Sequence, residues 1–154
     1  MSNYFTWEEL RQMKVVEGKQ LQRVIYHFWQ NVAKVGEAFE FLHRLELEFT
    51  EGGKLILGCS DETEGALVLA MDFDAEQQHL LLLHEFGGKL GIRSADLSEN
   101  ELWAPAIGQT LVVCGLVKEG ESYRTDAILL DFGDEKIEVR PDVEGLIVEP
   151  FEDV

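Results

Sequence analysis

Leu45-Glu46-Leu47-Glu48-Phe49, followed after a glycine-containing turn by Lys54-Leu55-Ile56-Leu57, is the stretch that decides the fold. Apolar and charged residues alternate in its first part, the pattern of a half-buried strand that keeps its carboxylates on the solvent face. The stretch returns later as Leu130-Asp131-Phe132 and Lys136-Ile137-Glu138-Val139. Working outward, Gly18, Leu21 and Val24 precede the first occurrence, and Gly108, Leu111 and Cys114 precede the second. Lys34-Val35-Gly36-Glu37-Ala38-Phe39 is answered by Lys118-Glu119-Gly120-Glu121-Ser122-Tyr123, and Glu64-Gly65-Ala66-Leu67-Val68 by Glu144-Gly145-Leu146-Ile147-Val148. Four blocks recur in one order, and the slips between them fall in turn segments, where insertions are best tolerated. The pattern predicts an internal duplication of residues 18–68 and 108–148.

The rest of the chain is read around those two copies. Thr6-Trp7-Glu8-Glu9 has the form of a capping box, so a short N-terminal helix is expected over about 7–14. Strands are expected near 20–30, 38–49, 54–59, 66–73 and 78–86, then 109–117, 123–132, 136–140 and 145–149. The run Leu80-Leu81-Leu82-Leu83 reads as a strand apolar on both faces. Turns are expected at 34–37, 51–53, 61–65, 74–77 and 133–134. Short turns make antiparallel meanders, because parallel neighbours need a crossover of about a dozen residues. Residues 93–106 read as a loop, and 69–107 as the connecting hairpin and seam between the copies. The expected fold class is therefore mainly β, with two tandem pseudo-symmetric antiparallel meanders packed as a sandwich or barrel-like core. A chain of 154 residues fits a single domain spanning 1–154. The expected core is Leu45, Leu47, Phe49, Leu55 and Leu57 with Ile128, Leu130, Phe132, Ile137 and Val139.

Thirteen basic residues stand against thirty acidic ones, for a net charge of −17. Such a field repels nucleic-acid phosphates and anionic membrane faces and favours a basic partner. No apolar run approaches the roughly 20 residues that span a bilayer, and the N-terminus lacks the order of a signal peptide, so the expected address is cytoplasmic. Cys59 and Cys114 fall in apolar runs and read as buried reduced thiols.

Catalytic signatures are sparse. His27, His43, His79 and His84 lack neighbouring ligands at metal spacing, and no phosphate-cradling glycine loop or nucleophile motif appears. No metal, cofactor or catalytic residue is expected. Carboxylates cluster at Asp61-Glu62-Thr63-Glu64, at Asp142 with Glu144, and at Asp72, Asp74 and Glu76, where turn chemistry accounts for most of them. Trp29 cannot share a strand face with Phe28, so it is expected under the N-terminal helix or in a contact patch. Trp103 is expected either to plug the core or to anchor a partner.

These features suit a non-enzymatic acidic protein-interaction module that binds a basic partner. In size, charge and β content the chain is similar to small acidic bacterial immunity proteins that block a toxin. The expected contact residues are Glu46, Glu48, Trp29, Trp103, Asp61, Glu64, Asp142 and Glu144. The alternatives are a small-ligand carrier with a cavity between the sheets, and an enzyme using the carboxylates.

Overall fold

The computed structural model describes residues 4–31, 40–60, 65–142 and 145–151. The expected turn at 34–37 and the candidate contact residues Asp61, Glu64 and Glu144 lie outside them. Helix α1 (Trp7–Val16) starts at its capping box: Thr6 Oγ1 accepts from Glu9 N at 3.1 Å, and the Glu9 carboxylate accepts from Thr6 N at 2.9 Å. The chain then runs up and down through β1 (Leu21–Asn31), β2 (Glu40–Phe49), β3 (Lys54–Cys59) and β4 (Leu67–Leu69). Helix α2 (Ala75–Glu85) follows, and β5 (Leu90–Asp96) pairs with β1 to give the sheet order β4-β3-β2-β1-β5. A second sheet, β11-β10-β9-β6, is built from β6 (Val113–Gly115), β9 (Ile128–Asp131), β10 (Lys136–Asp142) and β11 (Gly145–Pro150). Between β6 and β9 the chain forms a small hairpin, β7 (Lys118–Glu119) and β8 (Ser122–Tyr123). Every recorded strand pairing is antiparallel, as short connections require. The fold is mainly β.

The two meanders share their registers. Val24 faces Leu47 across β1–β2, and Cys114 faces Leu130 across β6–β9. Leu47 faces Leu55 and Leu45 faces Leu57, while Leu130 faces Ile137 and Ile128 faces Val139. At the last ladder Cys59 faces Leu67 and Pro141 faces Leu146, so Leu67 answers Leu146 and the matched glycines Gly65 and Gly145 stand one position apart. The halves join through four hydrogen bonds that repeat with partners exchanged. Gly18 N donates to Leu111 O and Gly108 N to Leu21 O, both at 2.7 Å. Leu21 N donates to Gln109 O at 3.0 Å, and Leu111 N to Lys19 O at 2.9 Å. Gly18 and Gly108 take φ of +90° and +86°, a region that side-chain-bearing residues rarely adopt, which explains a glycine at the start of each half.

All ten expected core residues are buried in one cluster that draws on both sheets. Burying them supplies the main driving force for packing the two amphipathic meanders together. Gly145 is fixed by this packing as well, because a Cβ there would collide with the Leu42 carbonyl of β2. Helix α1 straddles the sheets: the Glu9 carboxylate accepts from Leu69 N and that of Glu17 from Cys114 N, each at 2.9 Å. Both N–H groups belong to edge strands, so the helix blunts two edges that would otherwise invite pairing. Among the described residues no helix is long and apolar enough to cross a membrane.

The segment expected to be a strand over 78–86 is helix α2. Asp74 caps it by accepting from Gln77 N at 3.1 Å, and Gly88 N donates to Leu83 O at 2.7 Å beyond Gly87, which has φ +61°. That is a Schellman stop. Residues 74–77 are accordingly the helix start and not a turn. Part of the expected seam loop is strand β5, and the expected strand over 66–73 shrinks to Leu67–Leu69. The strand expected over 109–117 reduces to β6, and that over 123–132 is interrupted between β8 and β9.

Candidate functional site

A bulge on β2 at His43, opposite the step from His27 to Phe28 on β1, lets β2 present both His43 and Arg44 near the outer face of the five-stranded sheet. His27 is buried there. Its Nδ1 lies 2.7 Å from Ser94 Oγ of β5, and its Nε2 lies 2.9 Å from Glu46 Oε1 of β2. The hydrogen bond from His27 holds the Glu46 carboxyl down to about 2, while the neighbouring Glu46 raises Glu48. Burial, with Arg44 and His27 beside it, pushes His43 down to about 3. Phe73 roofs the cluster, its ring 5.0 Å from His27 and 5.9 Å from His43. The Arg44 guanidinium lies against Gly58, the residue opposite it on β3, where any side chain would displace it. Trp29 stacks on His43 at 4.7 Å and on Phe41 at 5.4 Å. Trp29, His43, Arg44 and Phe73, with Gln78, Leu82, Glu85 and Phe86 of the α2 region, line a cavity of about 380 Å³.

Hydroxyl, imidazole and carboxylate in series have the connectivity of an acid–base relay. Ser94 is exposed, but its Oγ makes its one hydrogen bond among the described residues to His27. The arrangement satisfies a buried imidazole on both nitrogens, which a histidine in this position requires.

Glu46 and Glu48 therefore do not form the open acidic face expected of them. The Glu46 side chain is 12% exposed, and Glu48 is held by Arg23 through two hydrogen bonds of 3.1 Å. Trp29 lies beside α2 and not under α1. Trp103 plugs the core: it is fully buried, and its Nε1 donates to Tyr26 Oη at 2.7 Å. Asp142 is exposed at the end of β10, opposite Gly145.

The exposed apolar surface lies elsewhere. On α2, Leu80 and Leu81 are 61% and 53% exposed, and Phe86 at its end is 47% exposed. Asp72, Glu76 and Glu85 are exposed around them and make no ion pair among the described residues. Only Leu82 of the helix is buried, and like Ile56 and Ile92 it lies outside the main core cluster. Helix α2 seats closely on β5: a Cβ at Gly91 would lie 2.6 Å from the His79 ring, and His79 Nδ1 accepts from Ile92 N at 2.8 Å. A second exposed site lies beside α1, where Trp7 is 83% exposed over a cavity of about 730 Å³.

Sequence reasoning missed both the relay and the α2 face. His27, Glu46 and Ser94 are joined only by strand register across 19 and 67 residues of chain. For α2 the signals were Asp74 at its start and Gly87-Gly88 at its end, a spacing too long for a typical strand. No three His, Cys, Asp or Glu side chains converge as metal ligands among the described residues. No protein-family model, curated protein or solved structure matches the chain.

Proposed function

We propose that the chain is a non-enzymatic, acidic interaction module, inhibitor- or immunity-like, that engages a basic protein through the outer face of α2. The observation that supports this most is the pair Leu80 and Leu81 at 61% and 53% exposure, with Phe86 beside them and unpaired carboxylates around. Large apolar side chains inside a charged rim are the usual anatomy of a contact hot spot. The rim is acidic, so the complementary surface is apolar with lysine or arginine at its margin, and the net charge of −17 steers such a partner inward while repelling nucleic acid. The scaffold under this face is two copies of one meander fused in a single domain. Its place of action is the cytoplasm, where the thiols of Cys59 and Cys114, which are not joined in a disulfide, stay reduced.

The test is a titration of the protein with a synthetic amphipathic helix that carries leucines on one face and lysines at its borders, followed by backbone amide chemical shifts. Shifts gathered on 75–88, and binding weakened about tenfold or more in a Leu80→Ser/Leu81→Ser variant, are the expected result. Equal binding of a scrambled peptide of the same composition would reduce the acidity to counter-ion attraction and sink the proposal. The Ser94–His27–Glu46 geometry favours one competing reading, a serine hydrolase. Covalent labelling of Ser94 by a fluorophosphonate would establish that reading in place of the first.

A further inference from the structure

We propose that the groove between α1 and the β6–β8 edge is a binding site for an amphipathic monocarboxylate. Its volume of about 730 Å³ falls within the range of small-molecule sites, roughly 300–1,000 Å³. Leu10 and Met13 of α1 form one wall, and Cys114, Leu116 and Tyr123 form the other. Trp7, in the first turn of α1, stands 83% exposed at its mouth, an unusual place for a tryptophan unless something covers it.

The charge of the rim inverts that of the molecule. Arg11, Lys14 and Lys118 line the groove, against two carboxylates, Glu17 and Glu121. Glu17 is turned inward: one carboxylate oxygen accepts from Cys114 N at 2.9 Å and the other lies 3.8 Å from Lys14 Nζ, while Arg11 pairs with Glu8 at 3.3 Å. Lys14, Arg11 and Glu8 are largely exposed, so these pairs are weak and leave the cations open to exchange for a ligand anion, and Lys118 makes no ion pair among the described residues. A chain with 30 acidic and 13 basic residues thus sets three of its cations around one apolar groove. Long-range repulsion opposes any anion, and the penalty grows with the anion's charge. Inside the screening length of about 8 Å the local ammonium and guanidinium groups dominate. A single negative charge on an apolar body satisfies both conditions, and a carboxylate meets these cations by charge-assisted hydrogen bonds.

The experiment compares decanoate, decanol and decyltrimethylammonium below their aggregation concentrations, read by calorimetry and by tryptophan fluorescence, with Trp7→Phe as the optical control. Decanoate is expected to bind about tenfold more tightly than the cation, against the sign of the net charge. In a Lys14→Gln/Lys118→Gln variant decanoate should weaken about tenfold while decanol is unchanged, and both substituted side chains are exposed, so the fold is retained. The fluorescence change should vanish in Trp7→Phe. Tighter binding of the cation, equal binding of all three, or indifference of decanoate to the lysine substitutions would each overturn the proposal.

Discussion

The four-stranded sheet and the first four strands of the five-stranded sheet carry the same ladder, yet they treat their outer faces differently. On the second sheet the outer face stays open: β9 and β10 alternate buried and half-buried positions, and Arg140 pairs with Glu138 at 2.9 Å and with Glu149 across β11. On the first sheet the outer face is roofed by α2 and Phe73, and β3 buries Leu55, Ile56, Leu57 and Gly58 in succession. One ladder can therefore be buried on one side or on both. The second layer comes from the segment that connects the two meanders, and it brings buried polar groups that need partners and an exposed apolar helix face.

If the halves are equivalent in their shared core, truncating corresponding residues should cost similar amounts. Phe49→Ala and Phe132→Ala, each at a hairpin end where its N–H donates to Gly53 O or Glu135 O, are expected to lose about 3 to 5 kcal/mol in chemical denaturation. Values that differ by more than about 2 kcal/mol would break the equivalence.

The roofed face should reveal itself in acid. Folded His43 stays neutral down to about pH 3, whereas the unfolded chain takes up that proton near 6.5. The unfolded state thus binds more protons in this window, and stability falls as pH drops from about 6.5 to about 3, by an amount on the order of 3 kcal/mol. Glu46, held at about 2 by His27, extends the loss below about 4.5 in the same direction. His43→Phe should flatten the upper window in a pH series of denaturation midpoints, and an unchanged slope would place His43 in water.

Neutralising one carboxylate on each outer face sharpens the contrast. Glu46→Gln leaves buried His27 with a weaker partner and should cost about 1.5 to 3 kcal/mol, whereas Glu138→Gln removes a partly exposed ion pair and should cost under about 1 kcal/mol. Comparable losses would mean the roof does not exclude water. Smallest of all, Leu80→Ser with Leu81→Ser should change stability by no more than about 0.5 kcal/mol per site, since neither is packed. A large loss would place those leucines in the fold instead of on a contact face.

This contrast also decides what was legible in the sequence. The second half alternates because one face is wet, so β9 and β10 and their buried residues follow from period alone. Leu80-Leu81-Leu82-Leu83 has no period, and an apolar run of that kind fits a buried strand as well as a helix. By alternation alone Glu46 reads as a solvent-facing carboxylate. Its actual role depends on a roof supplied by residues 73–86 and on a hydroxyl 48 positions away, neither of which alternation on β2 can convey. Trp103 reads equally as plug or anchor, because a lone tryptophan in a loop has no periodicity to place it.

The most direct measurement is the association rate of the amphipathic leucine/lysine helix with the wild-type chain and with Glu76→Lys/Glu85→Lys, followed as the screening length falls from about 30 Å to about 10 Å. Binding through α2 predicts wild-type association that slows steeply with salt while dissociation barely changes, and a variant that is slower at low salt with much of that dependence gone. Identical rates and identical salt dependence in the two proteins would contradict it, leaving the acidity of the surface without a role in recognition at α2.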